Sequence, residues 1–151
     1  MKNLFNDRSY VFSKFTIVSF CFLLFSSASF SQKVKDKFLE GKTFTTELVV
    51  KGAKKPKPEP DELSFKTGKF NSKMMKTESQ YKPADYTVTV DSSSSEKTFT
   101  FECDSKNPDD EIMHWTGTIS GESIEGTATL SKKEKVKKEY TFTGTLKSKK
   151  K

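Results

Sequence analysis

MHWTGTISGESIEGTATL, residues 113–130, and its echo YTFTGTL, residues 140–146, decide the fold. In the first run Met113, Trp115, Gly117 and Ile119 fall on one side, and His114, Thr116 and Thr118 on the other. A period of two marks a strand with one buried face and one wet face. Ser120-Gly121-Glu122 then breaks the period with a glycine between polar residues, which reads as a tight hairpin turn. Beyond it Ile124, Gly126, Ala128 and Leu130 resume the inward set, and Tyr140, Phe142, Gly144 and Leu146 complete it.

The same alternation extends toward the amino terminus. Thr43–Val50 places Phe44, Thr46, Leu48 and Val50 on one side. Asp61–Lys66 and Lys69–Met74 flank Thr67-Gly68 and read as a hairpin, with Leu63, Phe65 and Phe70 facing one core. Tyr86–Val90 buries Tyr86, Val88 and Val90, and Thr98–Cys103 buries Phe99, Phe101 and Cys103. Between the strands lie KGAKKPKPEP at 51–60, a second long connection at Met75–Asp85, a serine-rich loop at Asp91–Ser95 and an acidic loop at Asp104–Glu111. Ser131–Lys138 reads as a charged turn region. The prolines of 51–60 lack the ladder donor, so that segment is expected to be a stiff extended connection.

This gives about eight strands with no amphipathic helix between them. Short sequential connections favour antiparallel neighbours. The expected fold is all-β: a single small antiparallel up-and-down barrel, with a two-sheet sandwich as the alternative. The inward glycines Gly117, Gly126 and Gly144 favour the barrel, because tight closure needs room where strands bend or large rings sit opposite.

The first 31 residues read differently. Lys2, Arg8 and Lys14 precede an apolar run of eleven residues, Phe15–Phe25. That length suits a signal-peptide core and falls short of the roughly twenty residues that span a bilayer. Small residues follow, and cleavage after Ser31 would leave Gln32 first. The chain therefore divides into a signal peptide at 1–31, a polar lead-in at 32–42, the β domain at 43–147 and a basic tail at 148–151. The expected location is exported, periplasmic or secreted, with no transmembrane segment after signal removal.

The formal net charge is +7, and the excess sits in lysine runs at 51–57, 132–138 and 147–151. Such runs are solvated loops and ends, and they attract anionic surfaces. Nucleic acid is not an expected partner: the lysines are not interleaved with exposed aromatics, as a stacking platform requires. Cys103 is the only cysteine beyond the signal, so it has no partner for an internal disulfide. Its inward register makes it a small buried hydrophobe.

Catalytic chemistry has little to build on. The single histidine, His114, alternates to the outer face. Zinc ligation would need further ligands of its kind. The acidic loop lacks the mid-loop glycine and ligand spacing of a calcium-binding EF-hand, and Lys106 intrudes. No enzyme, metal or cofactor is expected. Trp115 is the candidate functional ring, either as a plug or as one wall of an apolar cavity with Phe101, Tyr86, Tyr140 and Phe142. In the second case the two tyrosine hydroxyls would orient a polar ligand group.

The motif from Trp115 to Thr127, closed by Tyr140–Leu146, resembles small secreted bacterial β-barrel proteins. More broadly it resembles the calycin-type barrels: lipocalins, fatty-acid-binding proteins and avidin-like proteins. The likeness covers most of the exported chain in architecture and its last third in motif. The Gly-x-Trp of a lipocalin first strand is not matched, since Gly41 and Phe44 stand at a different spacing. The resemblance implies an exported, non-catalytic binding protein holding a small apolar or amphipathic ligand in the barrel. The alternative is a periplasmic or surface protein-interaction or inhibitor module acting through the loops at 51–60 and 75–85.

Overall fold

Eight antiparallel strands run in sequence order, and the first pairs with both the second and the last, closing the sheet. This is a barrel and not a sandwich. The computed structural model describes residues 37–93 and 97–148. The signal-peptide and cleavage readings lie outside the described residues. The strands are β1 (Thr43–Val50), β2 (Glu59–Lys66), β3 (Lys69–Ser72), β4 (Ala84–Asp91), β5 (Thr98–Lys106), β6 (Glu111–Ser120), β7 (Ser123–Lys132) and β8 (Lys135–Leu146). One short helix, α1 (Lys73–Ser79), joins β3 to β4.

Several boundaries differ from the sequence reading, each for a physical reason. β2 begins at Glu59 and includes Pro60, opposite Glu47 of β1. The ladder tolerates this proline because β3 pairs only with Leu63–Lys66, which leaves β2 an edge strand at that point. β3 stops at Ser72, and α1 replaces the last two residues of the expected strand and much of the expected loop. The charged region at 131–138 is almost all strand. Its turn is only Lys133-Glu134, both at positive φ (50° and 62°), the backbone signature of a hairpin turn whose twist matches that of the strands. The acidic loop likewise shrinks, because β5 runs on to Lys106 and β6 starts at Glu111. The β7–β8 tip has both faces wet, and at the end of β5 the inward residue is Ser105, buried but polar, so hydrophobic alternation alone marks both strands too short.

The inward set forms cross-strand rows in which large and small residues alternate. One row reads Phe101, Gly117, Gly126, Phe142, Leu48. Its neighbour reads Cys103, Trp115, Ala128, Tyr140, Val50. The paired glycines open the space that the two phenylalanine rings fill: a Cβ on Gly117 would stand 2.5 Å from Phe101 Cε1 and 2.9 Å from Phe142 Cζ. Interlocking of this kind gives interiors their crystal-like density.

Both ends of the barrel are stopped by local structure. At one end, residues 37–42 lie over the β2–β3 hairpin. The amide of Gly41 donates to Phe65 O, and the Glu40 carboxylate accepts from the amides of Thr67 and Gly68. Leu39 of this segment is fully buried in the core. Residues 37–42 of the expected polar lead-in are therefore a stopper.

At the other end, α1 buries Met75, and Tyr81 follows it inward. Asp61, itself buried, holds this stopper in place. Its carboxylate accepts hydrogen bonds from the amides of Glu62 and Met74 (both 2.7 Å) and from the hydroxyl of Ser72. Ser72 in turn caps α1 through the Met75 amide. Replacing Asp61 with Ala strands three buried or half-buried donors. Hydrogen bonds to charged groups contribute about 1.5–3 kcal/mol each, so Asp61→Ala should cost at least about 2 kcal/mol in urea unfolding. Ser72→Ala should cost about 1 kcal/mol. An unchanged unfolding midpoint for Asp61→Ala would remove the carboxylate from this role.

Candidate functional site

The five residues named from the sequence all turn toward the interior. Trp115 and Phe101 are fully buried, Phe142 nearly so, Tyr140 is buried and Tyr86 is partly buried against the core. Three of them meet: the Trp115 and Phe142 ring centroids lie 5.7 Å apart, and those of Phe101 and Phe142 6.5 Å. Tyr86 meets Phe65, with ring centroids 5.1 Å apart, and Phe65 in turn meets Phe101. Tyr140 stands aside, with the Lys138 ammonium 4.7 Å from its ring centroid.

The hub is a pair that the sequence marked only as core. Phe65 contacts Phe44, Phe70, Tyr86 and Phe101, and Phe70 contacts Phe101 and Trp115, with centroids between 5.0 and 6.2 Å. Such spacings are those of close-packed aromatic pairs. The polar handle of Trp115 is also taken, since its indole N–H donates to Ser105 Oγ at 3.2 Å. Nothing in the sequence pattern says that rings from β2, β3, β5, β6 and β8 reach one another across the lumen.

One polar atom at the α1 end stands out. The Tyr81 hydroxyl is buried and has no hydrogen-bond partner among the described residues. Burial, with Glu111 and Asp109 nearby, pushes its ionisation up to about 12. It enters any reaction as a neutral phenol.

The outer face carries concavities of mixed character. One, of about 520 Å³, lies over β4–β6 and is lined by residues including Lys69, Asp85, Glu102, Asp104, Lys106 and His114. Its charges are largely matched: Lys69 pairs with Asp85 at 2.9 Å and Lys106 with Asp110 at 3.1 Å. Another, of about 440 Å³, is a shallow trough over Thr116, Thr127, Thr141 and Thr143.

The wall of the first concavity contains an arrangement that one-dimensional reading missed. His114 Nδ1 lies 2.7 Å from Asp104 Oδ1, and Nε2 lies 3.2 Å from Thr116 Oγ1. The residues sit on adjacent paired strands, Asp104 directly opposite His114. An Asp–His–hydroxyl chain is the skeleton of a nucleophilic relay. Here it lies exposed on a sheet face. Thr116 is laddered to Glu102 on one side and Thr127 on the other, so its neighbourhood offers no pair of free N–H groups for an oxyanion.

Cys103 faces inward, away from His114. Burial drives its thiol ionisation strongly upward. A thiolate is the reactive form. A disulfide reagent at pH 8 should therefore label the folded protein far more slowly than a free thiol, and label it fully in denaturant. Rapid labelling of the native state would show that the β5 wall opens. Among the described residues no group of three His, Cys, Asp or Glu side chains is placed to hold a metal ion.

The wall's polarity is the reverse of a membrane-spanning barrel: apolar residues point in, while threonines and charges point out. Among the described residues no helix is long and apolar enough to cross a membrane. Comparison with protein-family models, with curated proteins and with solved structures returns no match.

Proposed function

We propose that the protein is an exported, non-catalytic binding module whose barrel is a rigid stand and whose partner meets it from outside. The observation that carries this reading is the mutual packing of Phe65, Phe70, Phe101, Trp115 and Phe142 across the lumen. An eight-stranded barrel is just wide enough to be filled by side chains or to hold one small ligand. Here side chains occupy that width, and a guest would have to displace fully buried rings.

Of the two connections first considered as working loops, Met75–Asp85 is tied into the core through Met75 and Tyr81. The free candidates are the β1–β2 connection at 51–58 and the tip of the β7–β8 hairpin. Affinity capture from envelope extracts tests the reading, using the intact protein, a version with 51–58 replaced by an uncharged Gly-Ser segment of equal length, and one with Lys133, Lys135 and Lys137 changed to Ser. Loss of the captured partner with unchanged melting is expected. The same partner captured by all three would sink the reading.

A calycin-like ligand reading has one observation in its favour. The unpartnered Tyr81 hydroxyl lies buried at the α1 end, electrostatically within reach of Tyr140. A buried hydroxyl without a partner costs about 1–3 kcal/mol. On the filled-barrel reading Tyr81→Phe should be neutral or stabilising by up to about 1 kcal/mol. On the ligand reading the same change should weaken binding of a lipophile that quenches Trp115 fluorescence and travels with the protein in native mass spectrometry.

A further inference from the structure

The two lysine runs at 51–57 and 132–138 are far apart in sequence and adjacent in space. β1 pairs with β8 up to Val50 opposite Tyr140, and the Lys51 amide continues the ladder to Glu139 O. The β1–β2 connection therefore leaves the barrel beside the base of the β7–β8 hairpin. Residues 51–58 and 132–138 together hold nine lysines and one acidic residue, Glu134. The other segments at this end, 73–83 and 106–111, add four lysines and four acids, and the described connecting residues at the opposite end (37–42, 66–69, 91–93, 97–98 and 120–123) hold five lysines and three acids. The charge asymmetry is thus a property of the fold's two ends.

Most of this charge is unmatched. Among the described residues, ion pairs engage only Lys51, with Glu139, and Lys132, with Glu111. The hairpin tip, residues 133–137, is exposed throughout. Within it sits an apolar residue, Val136, 60% exposed. Ile112, 38% exposed, shares its cross-strand row through Ser131. An apolar tip ringed by ammonium groups is the composition that lies well at a lipid headgroup boundary. The amines remain among phosphates while the aliphatic side chain enters the acyl edge. A nucleic acid would supply the negative charge and nothing for Val136, and among the described residues the rim offers no exposed ring on which bases could stack.

We propose that this end of the barrel docks on the surface of an anionic lipid bilayer, with the β7–β8 hairpin tip seated at the headgroups and the 51–58 connection beside it. The assignment rests on the reading that the protein works through this outer end, and it names the partner. The geometry suits a surface: both segments project past the same rim, and the stoppered barrel behind them holds their spacing.

Flotation or co-sedimentation of the purified protein with two vesicle compositions tests it: phosphatidylcholine alone, and phosphatidylcholine with about a third phosphatidylglycerol. Binding to the anionic vesicles only is expected, weakening as salt rises and screening shortens. Each surface lysine contributes roughly a fivefold factor to such partitioning. Changing Lys133, Lys135 and Lys137 together to Ser should therefore reduce it about a hundredfold, and Val136→Ser should reduce it less. Lys37, Lys66 and Lys97 changed together to Ser at the opposite end should leave it unchanged, as should removal of residues 149–151. All these positions are exposed or terminal, so circular dichroism should report an intact fold.

Equal binding to both vesicle types overturns the proposal, as does equal loss from the opposite-end variant or the tail deletion. Retention on duplex DNA without binding to vesicles assigns the rim to nucleic acid and overturns it as well. If vesicles do not bind while capture of an envelope protein still depends on 51–58 and the hairpin, the lipid assignment falls and the outer-end function stands. If neither depends on them, both fall.

Discussion

Gly126→Ala is expected to be among the most damaging single-methyl changes in this protein. A Cβ at Gly126 would run into the Thr116 carbonyl oxygen and stand 2.5 Å from Phe142 Cζ and 2.6 Å from the Gly117 Cα. The first and last of these are backbone atoms of β6, paired to β7 across ten successive positions, so they cannot swing aside as a surface side chain would. Inserting a methyl into a packed site costs about 1–3 kcal/mol, and more where the backbone must move. We expect Gly126→Ala to lose about 3 kcal/mol or more in denaturant unfolding. For a domain of this size that corresponds to a melting temperature lower by roughly 10 °C or more. Gly117→Ala should cost less, because its nearest obstacles are ring edges of Phe101 and Phe142. A Gly126→Ala protein within about 1 kcal/mol of the parent would mean that the β6–β7 sheet is looser than its register implies.

The second large effect separates stand from container. Trp115 is fully buried, touches the Phe70 and Phe142 rings and donates to Ser105. As a core plug, Trp115→Ala should cost about 3–5 kcal/mol of stability. As the wall of a ligand cavity it would mainly cost affinity, because a cavity already lacks the contacts that the truncation removes. Calorimetry of the two proteins with and without added lipophile distinguishes them. A stability loss under about 1 kcal/mol, together with a ligand-dependent rise in melting temperature in the parent alone, would end the filled-barrel reading. Trp115→Phe should recover much of the loss, since Phe supplies most of the apolar volume and forgoes only the indole hydrogen bond.

These expectations draw on two kinds of legibility. The strand order and most of the inward set could be read directly, because a strand's side-chain period is a local property of the backbone and survives in one dimension. Val90, expected inward at the end of β4, is instead 44% exposed. Met113, Trp115, Ile119, Ile124, Ala128, Phe142 and Phe101 all lie in the core, where alternation puts them. The turns at Thr67-Gly68 and Gly121-Glu122 were also legible, since Gly68 and Gly121 take the positive φ (71° and 56°) that a two-residue hairpin turn demands.

What escaped was less local. The exposed start of β8 and the end of β5, where the inward residue is the buried Ser105, carry no hydrophobic signal. Helix α1 is seven residues long, depends on a cap from Ser72 and is anchored by Asp61. Its cause lies in tertiary hydrogen bonds more than in its own composition. Nothing in the polar lead-in marked Leu39 as core; it is buried because Glu40 and Gly41 pin its segment over the hairpin. The Asp104–His114–Thr116 chain needs the β5–β6 register, which no spacing along the chain expresses.

By itself, the sequence determined that the chain alternates, which side chains turn inward through most of the strands and in what order the strands follow. The period of two is imposed residue by residue and needs no partner to be specified. The tertiary structure alone decided that the sheet closes, that five rings from five strands meet across it, and that two distant lysine runs leave the same rim. Each of these depends on strand register and barrel diameter. Both are set only when all eight strands pair at once, since register fixes which residues face each other and the diameter fixes whether opposing side chains touch.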